Sequence, residues 1–295
     1  CQSTGTWLEP DPFWPSWAWR LRVRFLPVSP PYTAPARLCR LQRRWTPHGP
    51  PAPFPARCEA PDTSPRPPSY RKPAGRACTR NQSHGLFQGD SITDCGRDRN
   101  SNRCNTMEQF GSGYVLFTAT QLLEGKAALQ PKIYNRGISG NKVYQLRERW
   151  EIDCLAFQPD VLSILIGVND YWHTLTHGYK GTVETYENDL RALLKYTKEK
   201  LPNTQIVLCE PFTLRDGAAI EDSKWYPMFD EFRKSARKLS EEFNTIFVPF
   251  QSGFDAAVKL APARYWSNDG VHPDLPGRQL MANMWDGKAT GIKSK

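Results

Sequence analysis

The stretch VLSILIGVND, residues 161–170, decides the fold of this chain. Its first six residues are apolar or small and rich in Val and Ile, a pattern typical of a strand buried on both faces of a sheet. The following GVND, with its glycine and two polar residues, marks the end of that strand. We therefore predict a buried parallel strand over residues 161–166, followed by a polar cluster at its carboxyl end.

Other apolar, β-branched runs alternate with helical patterns on both sides of this strand. The predicted strands are 86–88, 132–134, 161–166, 205–209 and 245–248, and the predicted helices are 112–123, 183–198, 224–243 and 253–260. In the 183–198 helix, Thr182 is a candidate N-cap, and one apolar face contains Tyr186, Leu190, Leu193 and Leu194. The alternation predicts βαβ units, and thus a parallel sheet with helices on both faces.

Residues 1–85 differ in composition from the rest of the chain. They hold 17 of the 26 prolines, 5 of the 10 tryptophans, and 13 basic against 4 acidic residues, which accounts for the net charge of +9. Residues 86–295 carry 26 basic and 26 acidic side chains. The density of proline excludes helix interiors and central strands. We therefore predict a basic, disordered extension over 1–85 and a folded domain over 86–295.

The composition of this extension allows two interpretations. Arginine interleaved with aromatic residues is compatible with a nucleic-acid-binding arm. An unstructured tail is favoured, because the arginines show no spacing that gathers them on one face. No nucleic-acid partner is therefore expected. No apolar run approaches the roughly 18 residues of a membrane-spanning helix, and residues 1–30 lack a signal-peptide core, although a cleaved or missing leader is not excluded.

The cysteine and histidine spacings do not predict a metal site. No CxxC pair occurs, which argues against structural zinc. Cys95 and Cys104 lie in one polar loop, where free thiols are favoured over a disulfide, and Cys209 lies in an apolar run of core type. His173 and His177 have the spacing of two metal ligands on a helix, but without an acidic partner a solvated loop is the preferred interpretation.

Polar, glycine-containing clusters follow three predicted strands and recur near the C-terminus. They are GDSI at 89–92, NRGISGN at 135–141, GVND at 167–170 and DGVHP at 269–273. Ligand sites of doubly wound sheets lie at the carboxyl ends of the strands, where the first three clusters fall. Nucleophilic acyl transfer needs a hydroxyl, an imidazole, a carboxylate and donors for an oxyanion, and the four clusters contain each of them.

The clusters suggest a specific distribution of catalytic roles. Ser91 is the candidate nucleophile and His272 the candidate base, with Asp269 three residues earlier placed to orient the imidazole. The N–H groups of Ser91 and Gly140 and the side-chain amide of Asn169 are candidate oxyanion donors. Taken singly, each cluster fits an ordinary turn or cap. Their order at successive strand ends favours the catalytic interpretation.

These four blocks resemble those of the SGNH, or GDSL, serine hydrolases over about residues 86–286. The resemblance implies a three-layer α/β/α, flavodoxin-like fold with a five-stranded parallel sheet. It also implies a triad of Ser91, His272 and Asp269, an oxyanion hole from Ser91, Gly140 and Asn169, and ester hydrolysis through an acyl-enzyme without metal or organic cofactor. Secretion or a periplasmic location is expected from the resemblance alone. The first strand is shorter than is usual in the family.

The substrate is predicted from aromatic residues beside the clusters. Tyr171, Trp172 and Trp266, together with Asp90, are the predicted substrate contacts, and flat aromatic surfaces suit sugar rings. A short-chain acyl ester, above all an acetyl ester on carbohydrate, is expected. The alternatives are an arylesterase or lipase-like acylhydrolase of the same fold, or a carbohydrate-binding protein without catalysis. The 93–110 loop, with Arg97, Arg99 and Arg103, is interpreted as solvated, with recognition of a uronic acid as the alternative.

Overall fold

The structure is a computed structural model that describes residues 82–289. The basic extension predicted over 1–85 lies outside the described residues, apart from its last four positions. These positions lead into the sheet: the first strand begins at His84, two residues before the predicted domain boundary.

The sheet contains five parallel strands in the order β2-β1-β3-β4-β5. They are β1 (His84–Gly89), β2 (Lys132–Asn135), β3 (Val161–Leu165), β4 (Gln205–Cys209) and β5 (Ile246–Val248). The register pairs Phe87 with Ser163 and Leu165 with Cys209. The predicted three-layer α/β/α fold with a five-stranded parallel sheet is confirmed.

Strand β1 is longer than the predicted 86–88. It pairs with β2 from His84 and with β3 from Gly85. The polar residues before Leu86 extend the strand because their backbone groups find partners: His84 N–H donates to Asp160 Oδ2 at 2.8 Å, and Ser83 O accepts from Lys132 N–H at 2.8 Å. Strand β1 therefore runs over six residues, from His84 to Gly89.

Helices cover both faces of the sheet. They are α1 (Ser91–Asp94), α2 (Met107–Phe110), α3 (Tyr114–Gly125), α4 (Val143–Asp153), α5 (Val168–Thr176), α6 (Val183–Lys200), α7 (Asp222–Trp225), α8 (Met228–Glu242), α9 (Phe250–Ala257), α10 (Ala263–Trp266) and α11 (Leu275–Ala289). Helices α3, α9 and α11 pack together on one face, and α4, α6 and α8 on the other. Within this described part of the chain, no helix has the length and apolar character needed to cross a bilayer.

Two buried tryptophans anchor the helical layers to the core. On the α11 face, Trp285 packs 5.3 Å from the Phe87 ring and donates from Nε1 to Ser163 Oγ at 2.9 Å. On the opposite face, Trp150 of α4 donates from Nε1 to Thr197 Oγ1 of α6 at 2.9 Å. Because each indole N–H is satisfied, these large side chains are buried without an unpaired donor.

Several helices differ from the prediction. The predicted helix 224–243 is divided into α7 and α8 at Pro227, whose ring supplies no N–H and disfavours a helical residue before it. Helix α4 was not predicted, because charged residues separate its buried positions Val143, Leu146 and Trp150. Helix α11 was not predicted either, although its Pro276 lies in the first turn, where a missing N–H costs little.

The four cysteines of the described range are free thiols, as favoured from the sequence. Cys209 and Cys154 are fully buried in the core, which confirms the core assignment of Cys209. Burial in apolar surroundings raises the pKa of the Cys209 thiol to about 12, so this thiol stays protonated and unreactive near neutral pH.

Candidate active site

A tight turn at the end of β1 presents Ser91. The strand ends at Gly89, where a Cβ atom would lie 2.4 Å from the Leu165 carbonyl oxygen, so only glycine fits without a backbone shift. Asp90 caps α1, since its Oδ1 accepts a hydrogen bond from Ile92 N–H at 3.0 Å. Ser91 is the first residue of α1 and is therefore held, half-buried, at the carboxyl edge of the sheet.

The loop between α10 and α11 brings an imidazole and a carboxylate to this serine. Ser91 Oγ lies 2.8 Å from His272 Nε2, and His272 Nδ1 lies 2.7 Å from Asp269 Oδ2. Asp269 Oδ1 also accepts the N–H groups of Val271 at 2.8 Å and His272 at 2.7 Å. The carboxylate has no proton to give, so we assign the imidazole proton to Nδ1 and leave Nε2 free to accept from the serine.

The position of Asp269 is fixed by the segment that follows β4. Leu214 N–H donates to Gly270 O at 2.8 Å, and Ala219 N–H donates to Asp269 O at 2.9 Å. The two segments approach so closely that a Cβ atom on Gly217 would lie 2.3 Å from Gly270 Cα. Gly270 itself has φ +85°, in the region that favours glycine. The Asp-Gly pair at 216–217 is a weak sequence signal for this contact.

The carboxylate and the imidazole shift each other's proton affinity. Burial alone would raise the pKa of Asp269, but hydrogen bonds from the His272 side chain and from the loop backbone outweigh it and lower the pKa to about 2. The hydrogen bond that His272 donates to Asp269 raises the pKa of His272, against a smaller opposing effect of burial. Asp269 is therefore ionised at neutral pH and stabilises the imidazolium form of His272.

The loops after β2 and β3 supply further polar hydrogens beside this site. Gly140 has φ +82°. Asn169 is 3% exposed in the first turn of α5, and its Nδ2 donates to Asn141 O at 3.2 Å, which uses one of its two hydrogens. No group within residues 82–289 accepts from the N–H of Ser91 or Gly140. Since β2, β1 and β3 are adjacent, their following loops share one edge of the sheet.

Two of the predicted substrate contacts, Asp90 and Tyr171, are buried instead, which corrects that part of the prediction. Asp90 is 1% exposed beneath Ser91, and its burial raises its pKa to about 7. Tyr171 packs 5.5 Å from the Trp225 ring and donates its hydroxyl to the Lys224 carbonyl. The reason is that residues 168–176 form a helix, not a loop, and this helix turns Tyr171 towards the core.

The other two predicted contacts, Trp172 and Trp266, occupy different positions. The Trp172 ring is half-buried with its centroid 6.0 Å from that of His272. Trp266 donates from Nε1 to Ala261 O at 3.1 Å and packs edge-on against Tyr265 at 5.2 Å. Only Trp172 therefore has a ring contact with the imidazole.

Two of the three arginines of the 93–110 loop, Arg97 and Arg99, bind neighbouring protein groups with their side chains. Arg97 is 5% exposed and donates from Nε to Gly137 O at 2.8 Å. Arg99 forms an ion pair with Asp94, which also accepts from Ser139 N–H at 3.0 Å and Ser139 Oγ at 2.6 Å. Burial would raise the pKa of Asp94, but these partners outweigh it and lower the pKa. The loop therefore connects the Ser91 turn to the segment after β2. The prediction that the loop is solvated is wrong for Arg97, which is buried.

Arg149 of α4 also supports the site, and it was not predicted because helix α4 was not predicted. Arg149 donates from Nη1 to Gln88 Oε1 at 3.0 Å and Asp153 Oδ2 at 2.8 Å, and from Nε to Asn141 Oδ1 at 2.9 Å. It therefore joins β1, α4 and the loop that carries Gly140. The i,i+4 pair of Arg149 and Asp153 is the sequence signal that could have identified it.

His173 and His177 do not lie in a solvated loop. His173 is part of α5, His177 is its C-cap, and their ring centroids are 4.4 Å apart. Across residues 82–289 there is no group of three or more His, Cys, Asp or Glu side chains arranged to hold a metal ion.

The three-layer fold and the Ser91–His272–Asp269 hydrogen-bonded chain define the class of serine hydrolases with an α/β/α core. Residues 87–280 match the GDSL-like Lipase/Acylhydrolase family, and the chain belongs to this family. It is a carboxylic ester hydrolase.

Relatives of known name support this assignment. An acetylxylan esterase of Geobacillus stearothermophilus is 35% identical over 207 residues, which cover 67% of this chain and 89% of the relative. The crystal structure of an acetylxylan esterase from Geobacillus stearothermophilus matches with a TM-score of 0.64 at 32% identity, covering 72% of this chain and 97% of that one. Catalytic mutants of that esterase replace a serine, an aspartate and a histidine with alanine.

A second solved structure is much closer in sequence. A protein of Parabacteroides merdae assigned as a GDSL-like lipase is 96% identical, with a TM-score of 0.71, and the match covers 72% of this chain and 97% of that one.

Proposed function

We propose that this chain removes acetyl groups from carbohydrate esters through a covalent acyl-enzyme on Ser91. The observation that carries the proposal is the continuous hydrogen-bonded chain from Ser91 Oγ to His272 at 2.8 Å and from His272 to Asp269 at 2.7 Å. The acetylxylan esterase relative supports the substrate class.

In the proposed mechanism, His272 is the base and then the acid. Nε2 takes the Ser91 proton as Oγ attacks the ester carbonyl, and the resulting imidazolium is stabilised by Asp269. The tetrahedral intermediate collapses when the bond from the carbonyl carbon to the sugar oxygen breaks and His272 gives that proton to the sugar oxygen, which leaves as a hydroxyl. Water then attacks the acetyl-serine by the same route, which releases acetate and restores the serine.

The negative charge of the tetrahedral intermediate needs hydrogen-bond donors. The N–H groups of Ser91 and Gly140 and the Nδ2 of Asn169 fill this role in the proposal. These donors lie in the segments that follow three adjacent strands, with Ser91 in α1 and Asn169 in α5. The Arg149 and Asp94 contacts described above hold the segment that carries Gly140.

The space beside Ser91 supports a short acyl group. A cavity of about 20 Å³ adjoins Ser91 and His272 and is bounded by Ile92, Tyr114 and Met281. A site of this size holds about one water-sized group, which fits an acetyl methyl. The Trp172 ring, with its centroid 6.0 Å from that of His272, offers a flat surface for a sugar ring.

The proposal is tested by a hydrolysis panel that varies acyl length against alcohol type. Acetate release from acetylated xylo-oligosaccharides should exceed release of butyrate or octanoate from matched esters. Covalent labelling of Ser91 by a fluorophosphonate should accompany hydrolysis. Sugar binding without labelling or turnover would replace the proposal with a carbohydrate-binding protein, and preference for aryl or long-chain esters would replace it with an arylesterase or lipase.

Replacing Asn169 with alanine is expected to lower kcat about 100- to 1000-fold, the usual cost of one oxyanion donor. KM should change little, because the donor acts on charge that develops only in the transition state. Steady-state kinetics on p-nitrophenyl acetate measures both constants. A variant with unchanged kcat and an unchanged melting temperature would remove Asn169 from the oxyanion hole.

The activity is expected to fall on the acid side of neutrality. His272 must be neutral to accept the serine proton, and the Asp269 hydrogen bond raises its pKa above the ordinary 6.5. Asp90 acts in the same direction, and Arg278 opposes it. Below the raised pKa, kcat/KM should therefore drop about tenfold per pH unit. A profile with its acid limb below 6.5 would contradict this picture of the Asp269–His272 pair.

A further inference from the structure

A cluster of basic and aromatic side chains lies beside the loop that carries Gly140. It consists of Lys142, Tyr144, His173, His177 and Tyr179, and we call it the lysine–aromatic cluster. The proposed mechanism uses none of these residues. Their arrangement nevertheless places a positive charge and several hydrogen-bond donors next to the reacting groups.

The ammonium group of Lys142 is the centre of the cluster. Its Nζ lies 3.1 Å from His173 Nδ1, 5.1 Å from the centroid of the Tyr179 ring and 5.6 Å from that of Tyr144. The two tyrosine rings are stacked, with centroids 6.1 Å apart. The lysine residue is 7% exposed, so most of its side chain is withdrawn from water.

The hydrogen bond to Lys142 determines the protonation of His173. An ammonium group can only donate, so Nδ1 is the acceptor and the ring proton is on Nε2. Burial, with the nearby charge of Lys142, lowers the pKa of His173 to about 4. The histidine is therefore a neutral donor, and the positive charge of the pair belongs to Lys142.

This positive charge has no direct carboxylate partner. Within residues 82–289 no Asp or Glu forms an ion pair with Lys142. The nearby Asp170 interacts with Lys142 through space but forms no ion pair with it, and its Oδ1 accepts from Val143 N–H at 3.1 Å. Burial also raises the pKa of Asp170 to about 7, which weakens it as a counter-ion. A largely buried cation with no ion-pair partner in the described range is a candidate site for an anionic ligand group.

Helix α5 sets the distance between the cluster and the reacting groups. Asn169 and His173 are four residues apart and so lie on one face of the helix, about 6 Å apart along its axis. A Cβ atom on Gly140 would lie only 3.9 Å from His173 Cε1. The cluster therefore begins one helical turn from the proposed oxyanion donors, within the span of a neighbouring sugar substituent.

We propose that the lysine–aromatic cluster binds the carboxylate of a uronic acid on the acetylated carbohydrate, with Lys142 as the specificity-determining residue. The inference rests on the proposed function. One cation with neutral donors matches a single negative charge, and the tyrosine faces suit a sugar ring. A phosphate would favour arginine forks, and Arg97 and Arg99 are already bound to protein groups.

The experiment compares acetylated xylo-oligosaccharides with and without a uronic acid branch. The unaltered chain should show a kcat/KM roughly tenfold higher on the acidic substrate, because one charge-assisted hydrogen bond contributes a free energy of that order. Lys142→Met should reduce this ratio to about one, and Lys142→Arg, which keeps the charge, should retain part of it. Lys180→Met, at an exposed lysine of the 178–182 loop, is the matched control and should keep the full ratio.

Three results would overturn the inference while the proposed function stands: equal rates of the unaltered chain on both substrates, a full ratio in a folded Lys142→Met variant, or an equal loss in Lys180→Met. If no acetyl ester is hydrolysed, the proposed function is wrong. A binding measurement then tests the lysine–aromatic cluster independently of catalysis. Calorimetric titration of Ser91→Ala with deacetylated oligosaccharides should then still show tighter binding of the acidic one, and Ser91→Ala/Lys142→Met should not. Equal binding by both proteins would overturn the inference in that case too.

Discussion

Replacement of Ser91 by alanine is expected to lower ester hydrolysis about 10⁶-fold, the loss measured when the nucleophile of another serine hydrolase is removed. The reason is that no second hydroxyl in the described range forms a hydrogen bond with His272 Nε2. The remaining oxyanion donors still bind the substrate, so a small residual rate over the uncatalysed reaction should survive.

The same variant should remain folded. The turn at Ser91 is fixed by its neighbours, since Gly89 fits against Leu165 O and Asp90 caps α1. The serine hydroxyl bonds only to the partly exposed His272 ring. Its loss should therefore change the melting temperature by no more than a few degrees.

The measurement combines p-nitrophenyl acetate turnover, fluorophosphonate labelling and thermal melting. Ser252→Ala is the matched control, because this exposed serine on α9 forms, within residues 82–289, a side-chain hydrogen bond only with Pro249 O, at 2.9 Å. It should keep both turnover and labelling. Persistent labelling or turnover in purified Ser91→Ala would show that another residue is the nucleophile.

Much of the fold could be predicted because the strands are short, apolar and separated by turn signals. The run at 205–209 becomes β4 with the predicted bounds, and 183–198 becomes most of α6. Helix α5 could not be predicted in the same way, since Gly167, with φ +133°, and the polar Asn169 and Asp170 are typical of a loop. Tertiary contacts, including Asp170 with Val143 N–H, hold this segment in a helix instead.

The candidate site shows the same difference between local contacts, which the sequence indicates, and tertiary contacts, which it does not. The contact between Asp269 and His272 is local, because three residues in one loop suffice to bring the carboxylate to Nδ1. The meeting of His272 with Ser91 joins residues 181 positions apart, and only the strand-end rule indicated it. The direction of Tyr171 depended on the rotation of α5, which the sequence did not show. The basic extension over 1–85 and an exported location stay predictions.

Replacement of Asp269 by asparagine is expected to lower kcat about 10⁴-fold at neutral pH, as the equivalent change does in another serine hydrolase triad. The asparagine oxygen can take over Oδ1 and accept from the N–H groups of Val271 and His272, which keeps the loop in place. The amide NH₂ then faces His272 Nδ1 and can only donate. The ring must therefore carry its proton on Nε2, where it can no longer accept from Ser91.

The pH profile separates this tautomer effect from damage to the loop. Without the carboxylate, the pKa of His272 should lose its elevation, so the acid limb of the remaining activity should move to lower pH. Asp274→Asn is the matched control, since Asp274 Oδ2 accepts from Asn268 N–H at 2.8 Å in the same loop without touching the imidazole. An asparagine preserves that acceptor, so kcat and the profile should stay unchanged. If Asp274→Asn lost as much activity as Asp269→Asn, the loop backbone would be the cause, and orientation of the imidazole by Asp269 would be wrong.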